Sequence, residues 1–388
     1  MSTEDTTSAH ATPPELPLNG TRVVDLTNNI AAPFGAAILA DLGAEVVHVE
    51  PMSGDDSRRM APVDGAASAY FHVVNRNKSG AVADLRSPLG LAYVNSLLAD
   101  CDVFVTNLRP PTLLDLGLDA ATLAERHPGL IHASLTAYGE TGPDLLRPGY
   151  DAVLQARTGV ASVTGEAHGP PVRVGVSILD VGAGTWLALG VLAALLRRER
   201  TGLGGSVGTS LYETGASWVS YHVVAHEVTG ATSARHGSGH PAFAPYGIYT
   251  TGDGDICIGI GGDRMFARMC EGLGAPGLLL DPRFGTNSER VRHDTELRRE
   301  LVALLSAHSA QEWTDRLCKA GVPVDRVALP EDLIDDPQAQ AINLMVDLDP
   351  SRPGSLKSPG LPLRFEGRRP GVRRGAPVAG FTVESQAD

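Results

Sequence analysis

Cysteine is scarce in this sequence: the 388 residues hold four, Cys101, Cys257, Cys270 and Cys318, with no Cys-x-x-Cys pair. Such spacing supports neither a zinc site nor a disulfide framework, and it suits a reducing cytoplasm. Aromatic residues are few, at 5%. Positive charge is in deficit: Lys and Arg total 32 against 45 Asp and Glu, a net charge of -13. That field repels phosphate polymers and anionic lipid headgroups, which sets nucleic acid and membrane surfaces aside as partners. The longest near-apolar run, Val181 to Leu196, falls short of the ~20 residues a membrane span needs and leads into Arg-Arg-Glu-Arg, so it reads as a buried core helix. Residues 1–18 have neither a basic start nor an apolar stretch and read as a loose tail. No Gly-x-Gly-x-x-Gly follows the first strand, and neither a P-loop nor a Gly-x-Ser-x-Gly elbow occurs. What remains is a 43% hydrophobic, 20% charged chain long enough for two or three compact units.

From Asn19 to about Thr136, strand-like runs alternate with helix-length segments. Strands are expected at Thr21–Leu26, Glu45–Glu50, Ala81–Leu85, Val103–Thr106 and Leu130–Leu135, with helices over Ala32–Leu42 and Leu89–Leu98. This alternation predicts βαβ units and a mostly parallel sheet, whose ligands gather beyond the carboxyl ends of the strands. The residues there are polar: Asn28 and Asn29, then Glu50, then Asn107 to Arg109, then Thr136. A long helix is expected from about Asp180 to Arg200, followed by a Gly-rich turn at Gly202–Gly208 and a His- and Ala-rich bridge over Ala216–Gly247. A hairpin over Ile248–Gly259, amphipathic helices at Leu297–Leu305 and Ala310–Ala320, and a Pro-rich extended stretch from Asp349 complete the chain.

Three constellations carry possible chemistry. His222 and His226 would share a helix face, but no Glu lies between them, and they read as packing or hinge histidines. The run Gly259-Ile-Gly261-Gly262 is either a tight turn or a loop lining a ligand site. Asp180 opens the long apolar helix. It is either a plain N-cap or a nucleophile that the positive helix end keeps ionised, with Gly182 and Gly184 letting a substrate approach the backbone.

A set of ordered motifs then resembles the class III CoA-transferases, the family of formyl-CoA and carnitine CoA-transferases and α-methylacyl-CoA racemase. The markers are Leu18–Thr27, Leu39–Pro51 with Gly54–Arg58, Asn75–Lys78 with Asp84-Leu85, and Asn107–Pro110. They continue with Tyr138–Pro143, Pro148–Asp151, Gln155–Gly159, Ala244–Gly247, Asp281–Phe284 and Ala320–Pro323. The likeness extends from about Leu18 to Glu366.

The resemblance implies an α/β fold: a Rossmann-like large domain with a parallel sheet, an inserted smaller α+β domain, and an interlocked homodimer. On that plan residues 1–18 are a flexible tail and 19–215 the large CoA-binding domain. Residues 216–330 form the small domain with its linkers, and 331–388 return to the large domain. The family's catalytic aspartate falls on Asp180. Its coenzyme A contacts fall on Asn28, Asn29, Ile30, Ala31, Glu50, Pro51, Arg58, Lys78, Asn107, Leu108, Arg109 and Thr136, and a substrate pocket on Tyr150, Asp151, Gly261 and Gly262. Coenzyme A enters as an acyl-CoA substrate beside a small carboxylic acid, with no metal, in the cytoplasm.

Four departures bear on the activity. Tyr150 stands where the racemase branch has His, and Asp263 is the only acid near that branch's Glu position. Asp115 and Asn28 replace an Arg and a His of the formyl-CoA transferase type. The chain therefore reads as an acyl-CoA:carboxylate CoA-transferase. An α-methylacyl-CoA epimerase with Asp151 or Asp180 as base, and a CoA-binding protein without turnover, stand as alternatives. No evident Arg clamp for a dicarboxylate appears, Arg173 and Arg264 being the nearest charged residues.

Overall fold

Short β-branched runs bounded by polar turns build the centre of the molecule. The computed structural model describes residues 15–65, 67–352, 354 and 356–378, so most of the expected tail and the last residues of the C-terminal segment lie outside the described residues. Strands Arg22–Leu26 (β1), Glu45–Glu50 (β2), Lys78–Val82 (β3), Val103–Thr106 (β4), Ile131–Thr136 (β5) and Gly205–Ser210 (β6) form a six-stranded sheet. All neighbours run parallel, in the order β3-β2-β1-β4-β5-β6. The order reverses between β1 and β4, which is where open α/β sheets leave a crevice for ligands.

Two strands differ from the sequence expectation. β3 starts at Lys78 instead of Ala81 because the long Lys side chain is satisfied inside the protein. The expected turn at Gly202–Gly208 is largely β6, and its glycines reflect close packing. A Cβ on Gly204 would lie 2.0 Å from the carbonyl oxygen of Leu130 at the start of the neighbouring strand.

Three helices place the site. Ala31–Asp41 (α1) leads from β1 toward β2, Asp151–Thr158 (α2) follows the long loop after β5, and Ile178–Thr201 (α3) precedes β6. α1 and α3 touch through glycines: a Cβ on Gly184 would meet the Ala31 carbonyl oxygen at 2.4 Å, and one on Gly35 would meet the Gly184 carbonyl oxygen at 2.7 Å. By length and composition α3 could cross a membrane, yet it packs on α1, β5, β6 and the helix Leu211–Trp218. Only one face is core, with Leu179, Ala183, Leu187 and Val191 buried, whereas Val181, Trp186, Leu189 and Leu196 are exposed. The expectation of a buried core helix holds for that one face.

The chain divides into two compact units. The first draws its described residues from the stretch ending at Thr158, from Gly175–Trp218 and from the stretch beginning at Ile334. Its last segment returns to the sheet edge: the Asn77 amide donates to the Arg374 carbonyl at 2.9 Å, and Pro377 covers Gly80 of β3. Covering an edge strand in this way blocks unwanted pairing.

The second unit is Gly159–Val174 with Val219–Leu333. Where the sequence reading ran the large domain unbroken from 19 to 215, the stretch Gly159–Val174 groups here. An antiparallel sheet of Tyr246–Thr250 (β7), Asp255–Gly259 (β8) and Val324–Arg326 (β9) packs on amphipathic helices around Ile256, Ile258, Phe266, Met269, Leu301 and Trp313. The bridge expected over Ala216–Gly247 is partly helical, the helix Ser220–Thr229 burying none of its residues. His222 and His226 therefore lie on an exposed helix and pack against no core. Among the described residues no group of three or more His, Cys, Asp or Glu is placed to hold a metal ion.

Candidate active site

Asp180 occupies the first turn of α3, not its N-cap. The capping position is Ser177, whose side chain makes no capping hydrogen bond. The exposed amides of this helix end are instead taken by Asp151, the first residue of α2. Asp151 Oδ2 accepts from the Leu179 amide at 2.7 Å and faces the Asp180 amide at 3.4 Å, while Oδ1 accepts from Gln155 Nε2 at 2.6 Å. A buried carboxylate on first-turn amides is well matched to the positive end of the helix.

This geometry reverses the expected electrostatics. The helix end was expected to keep Asp180 ionised, but its amides are spent on Asp151. Burial, with the neighbouring Asp151 charge second, pushes the Asp180 carboxyl up to about 7. An aspartate of that basicity attacks a carbonyl better, once ionised, than an ordinary one.

Asp180 forms part of the wall of an open cavity of about 310 Å³ beyond the carboxyl ends of β1, β4 and β5. The same cavity is lined by Asn28, Asn29, Ile30, Ala31, Asn107, Leu108, Arg109, Thr136 and Tyr150. Ten of the residues proposed from sequence thus meet around one space. Asn28 and Asn107 clamp its floor reciprocally: the Asn28 amide donates to Asn107 Oδ1 at 3.1 Å, and Asn107 Nδ2 donates to the Asn28 carbonyl at 2.8 Å. Asn29 takes a left-handed conformation, φ 72°, which asparagine tolerates. α1 then starts at Ala31, and its N-cap residue Ile30 offers no side-chain cap, so its first-turn amides remain for solvent or ligand.

Other expected contacts lie elsewhere. Lys78 is fully buried, and its Nζ donates to Asp25 Oδ2 at 2.8 Å, Asn75 Oδ1 at 2.8 Å and the Pro33 carbonyl at 2.9 Å. Arg58 forks onto Glu50 at 2.6 and 2.7 Å, donates to the Pro377 carbonyl at 2.9 Å, and lies 3.7 Å over the Phe71 ring. Neither cation is available as the sequence reading supposed, because each is held by a buried carboxylate. Glu50, Pro51 and Asp151 do not line the cavity. Gly261 and Gly262 belong to the second unit, immediately before the helix Asp263–Leu273.

Behind the cavity floor runs a buried charge network. His48 Nδ1 lies 3.1 Å from Asp25 and Nε2 3.4 Å from Asp55, whose Oδ1 accepts from Ser57 at 2.7 Å and from the Asn29 amide at 3.3 Å. Burial disfavours the imidazolium, but Asp25 and Asp55 outweigh it and raise His48 to about 9. Burial likewise opposes the Asp25 charge, yet Lys78 and His48 hold that carboxyl far below its usual range. The network ties β1, β2 and β3 to the loop that presents Asn28 and Asn29.

The cavity also holds Arg147, Leu145, Leu146, Met60 and Leu211, which sequence reasoning did not single out. Arg147 sits in an aperiodic Pro- and Gly-bounded loop, where only its nearness to the motif Pro148–Asp151 gave a signal.

A parallel α/β sheet with a polar crevice at its switch point and a basic aspartate on the crevice wall defines an enzyme of the doubly wound class. Comparison with known proteins makes this specific. The chain matches the family model for CoA-transferase family III over residues 18–382. It is 36% identical over 367 residues to the acetyl-CoA:oxalate CoA-transferase of Acetobacter aceti, covering 94% of this chain and 93% of that protein. To the succinyl-CoA:glutarate CoA-transferase of Mus musculus it is 36% identical over 356 residues, 90% of this chain and 80% of that one. Its fold matches a CAIB/BAIF family protein from Brucella suis with a TM-score of 0.85 at 32% identity, covering 94% of this chain and 96% of that one. The protein belongs to CoA-transferase family III and is a CoA-transferase.

Proposed function

We propose that the enzyme moves coenzyme A from an acyl-CoA thioester to a small carboxylic acid through covalent intermediates on Asp180. The Asp180 carboxylate attacks the thioester carbonyl, expelling CoA thiolate and forming an aspartyl acyl anhydride. The thiolate then attacks the aspartyl carbonyl, which frees the donor carboxylate and leaves an aspartyl-CoA thioester. The incoming carboxylate attacks that thioester to form a second anhydride, and the thiolate collects the new acyl group and restores Asp180. One acyl-CoA and one carboxylate are exchanged for another pair, so thioester energy is conserved and no nucleotide is consumed.

The observation that carries this reading is a carboxyl raised to about 7 on the wall of a cavity whose floor is built from Asn28–Ala31 and Asn107–Arg109. Coenzyme A takes those loops and Thr136, with Arg109 as the cation for its phosphates in place of Lys78 and Arg58. Tyr150, which lines the cavity, is retained as an acyl-pocket residue on family resemblance. Racemisation needs two poised acid/base groups. Tyr150 supplies no imidazole, and the Asp263 carboxylate is engaged by Arg290 at 2.8 Å.

A soluble homodimer completes the proposal. Val181, Trp186 and Leu189 in the first unit, and Tyr221, Val224 and Val228 in the second, are exposed apolar side chains suited to a subunit interface. Light scattering should return twice the chain mass.

A matrix of acyl-CoA donors against carboxylate acceptors, read by mass, tests the activity. At least one pair should exchange CoA with the wild type, and Asp180→Ala should lose the exchange while still binding CoA. Full activity in that variant overturns the mechanism, and CoA binding without exchange on any acid favours a non-catalytic role.

A further inference from the structure

The cavity contains one charged group beyond those the transfer chemistry uses. Its lining includes two guanidiniums, Arg109 and Arg147, and one carboxylate, Asp180. Arg109 follows Asn107 and Leu108 at the end of β4, on the side assigned to coenzyme A. Arg147 comes from the loop after β5, which continues through Pro148, Gly149 and Tyr150 along the same wall.

That loop is braced. The Arg147 amide donates to the Asp144 carbonyl at 2.9 Å. The Asp144 carboxylate stands 3.6 Å from Arg147 Nη1 and 3.5 Å from Arg157 Nη2, so one acid serves two guanidiniums. The Arg147 guanidinium lies 5.5 Å from the Tyr138 ring and that of Arg157 5.8 Å from the Tyr212 ring, and the two rings stack at 6.2 Å. Two cations, two rings and one carboxylate close into a ring of contacts that orients Arg147 and leaves a net positive charge. Half of the Arg147 side chain, 53%, is still exposed.

A carboxylic acid that becomes a thioester loses the charge of its reacting carboxylate, so Asp180 chemistry does not need a permanent cation there. A second carboxylate, which keeps its charge throughout, does. We infer that Arg147 binds the spectator carboxylate of a small dicarboxylic acid and thereby selects dicarboxylates over monocarboxylates of equal length. This inference rests on the CoA-transfer reading of Asp180. A guanidinium fork matches a carboxylate in two parallel hydrogen bonds, which an ammonium does not reproduce.

The test uses acetyl-CoA, a donor with no second carboxylate, against the matched acceptors succinate and butyrate, and glutarate and pentanoate. Wild-type kcat/KM should favour each dicarboxylate by about 100-fold or more, as expected of a site built around a polar group. Arg147→Ala should lose roughly 10- to 100-fold on the dicarboxylates, with unchanged monocarboxylate turnover and an unchanged KM for acetyl-CoA. Arg147→Lys should recover part of the loss. An equal loss on both acid classes, or a raised KM for acetyl-CoA with the preference intact, overturns the inference and points to a structural or phosphate-binding role. A wild type that prefers monocarboxylates overturns it directly. If the wild type transfers CoA to no acid at all, the Asp180 reading and this one fall together; an Arg147→Ala enzyme that keeps the wild-type preference sinks this one alone.

Discussion

Asp151 lies directly behind the backbone of Asp180, its Oδ2 2.7 Å from the Leu179 amide and 3.4 Å from the Asp180 amide. One acid occupies the helix end that would otherwise stabilise the other, and its charge adds to burial in making the Asp180 carboxyl hard to ionise. The pair resembles other sites in which neighbouring carboxyls are pushed to different basicities, one structural and one reactive.

The first prediction concerns rate against pH. The nucleophile is the ionised form, so kcat/KM should rise with pH through about 7 and then level off. Asp151→Asn removes the smaller of the two causes while retaining an acceptor for the amides, and should move this limb to lower pH without abolishing it. A pH–rate profile of both enzymes checks the shift.

Stability should show the reverse side of the same shift. The Asp180 carboxyl is raised above its unfolded value of 3.8, so the folded state holds the proton more tightly and stability is lost as pH climbs from about 4 toward 7. Asp180→Asn should therefore raise Tm by a few degrees at pH 8, on the order of 2–4 °C per kcal/mol recovered, and by almost nothing near pH 4. Thermal unfolding at the two pH values separates this from a uniform effect.

Lys78 is predicted to matter for folding, not for phosphate binding. Lys78→Met removes one partner of the buried Asp25–His48 network and should cost about 3–5 kcal/mol. Folded enzyme that remains should keep its KM for acyl-CoA. The network also sets a pH window. The Asp25 contribution is lost as pH falls below its ordinary value toward its depressed one, and the His48 contribution is complete below about 6.5 and lost as pH rises through about 9. Chemical denaturation across pH should place the stability maximum between these limits.

Gly184 is predicted to couple packing to the coenzyme loop. A Cβ there would lie 2.4 Å from the carbonyl oxygen of Ala31, which lines the cavity. Gly184→Ala should cost about 1–3 kcal/mol and push the start of α1, raising KM for acyl-CoA more than it lowers kcat. Steady-state kinetics with a denaturation curve measures both.

Much of this site was legible before the structure, and the reason is topological. In a parallel sheet the carboxyl ends of the strands converge, so Asn28, Asn107 and Thr136 could be placed together from strand positions alone. Side-chain direction was not legible. Lys78 and Arg58 look like solvated cations in a string of letters, whereas each turns onto a buried acid in the fold. Asp180 looked like an N-cap because a long apolar run begins there, but the cap comes from Asp151, a contact across 28 positions. β6 read as a turn because its glycines, Gly205 against Arg197 and Gly208 against Glu140, serve close packing and carry no strand pattern. Arg147 was missed because its loop has no period to read.

The most direct test is to trap the acylated aspartate. The enzyme is incubated with acyl-CoA, quenched with hydroxylamine and digested, and the peptide spanning Asp180 is sequenced by mass spectrometry. A hydroxamate on Asp180 that forms only when acyl-CoA was present is the predicted result. An unmodified Asp180 peptide from an enzyme that is turning over, with Asp180→Ala equally active, would contradict the account.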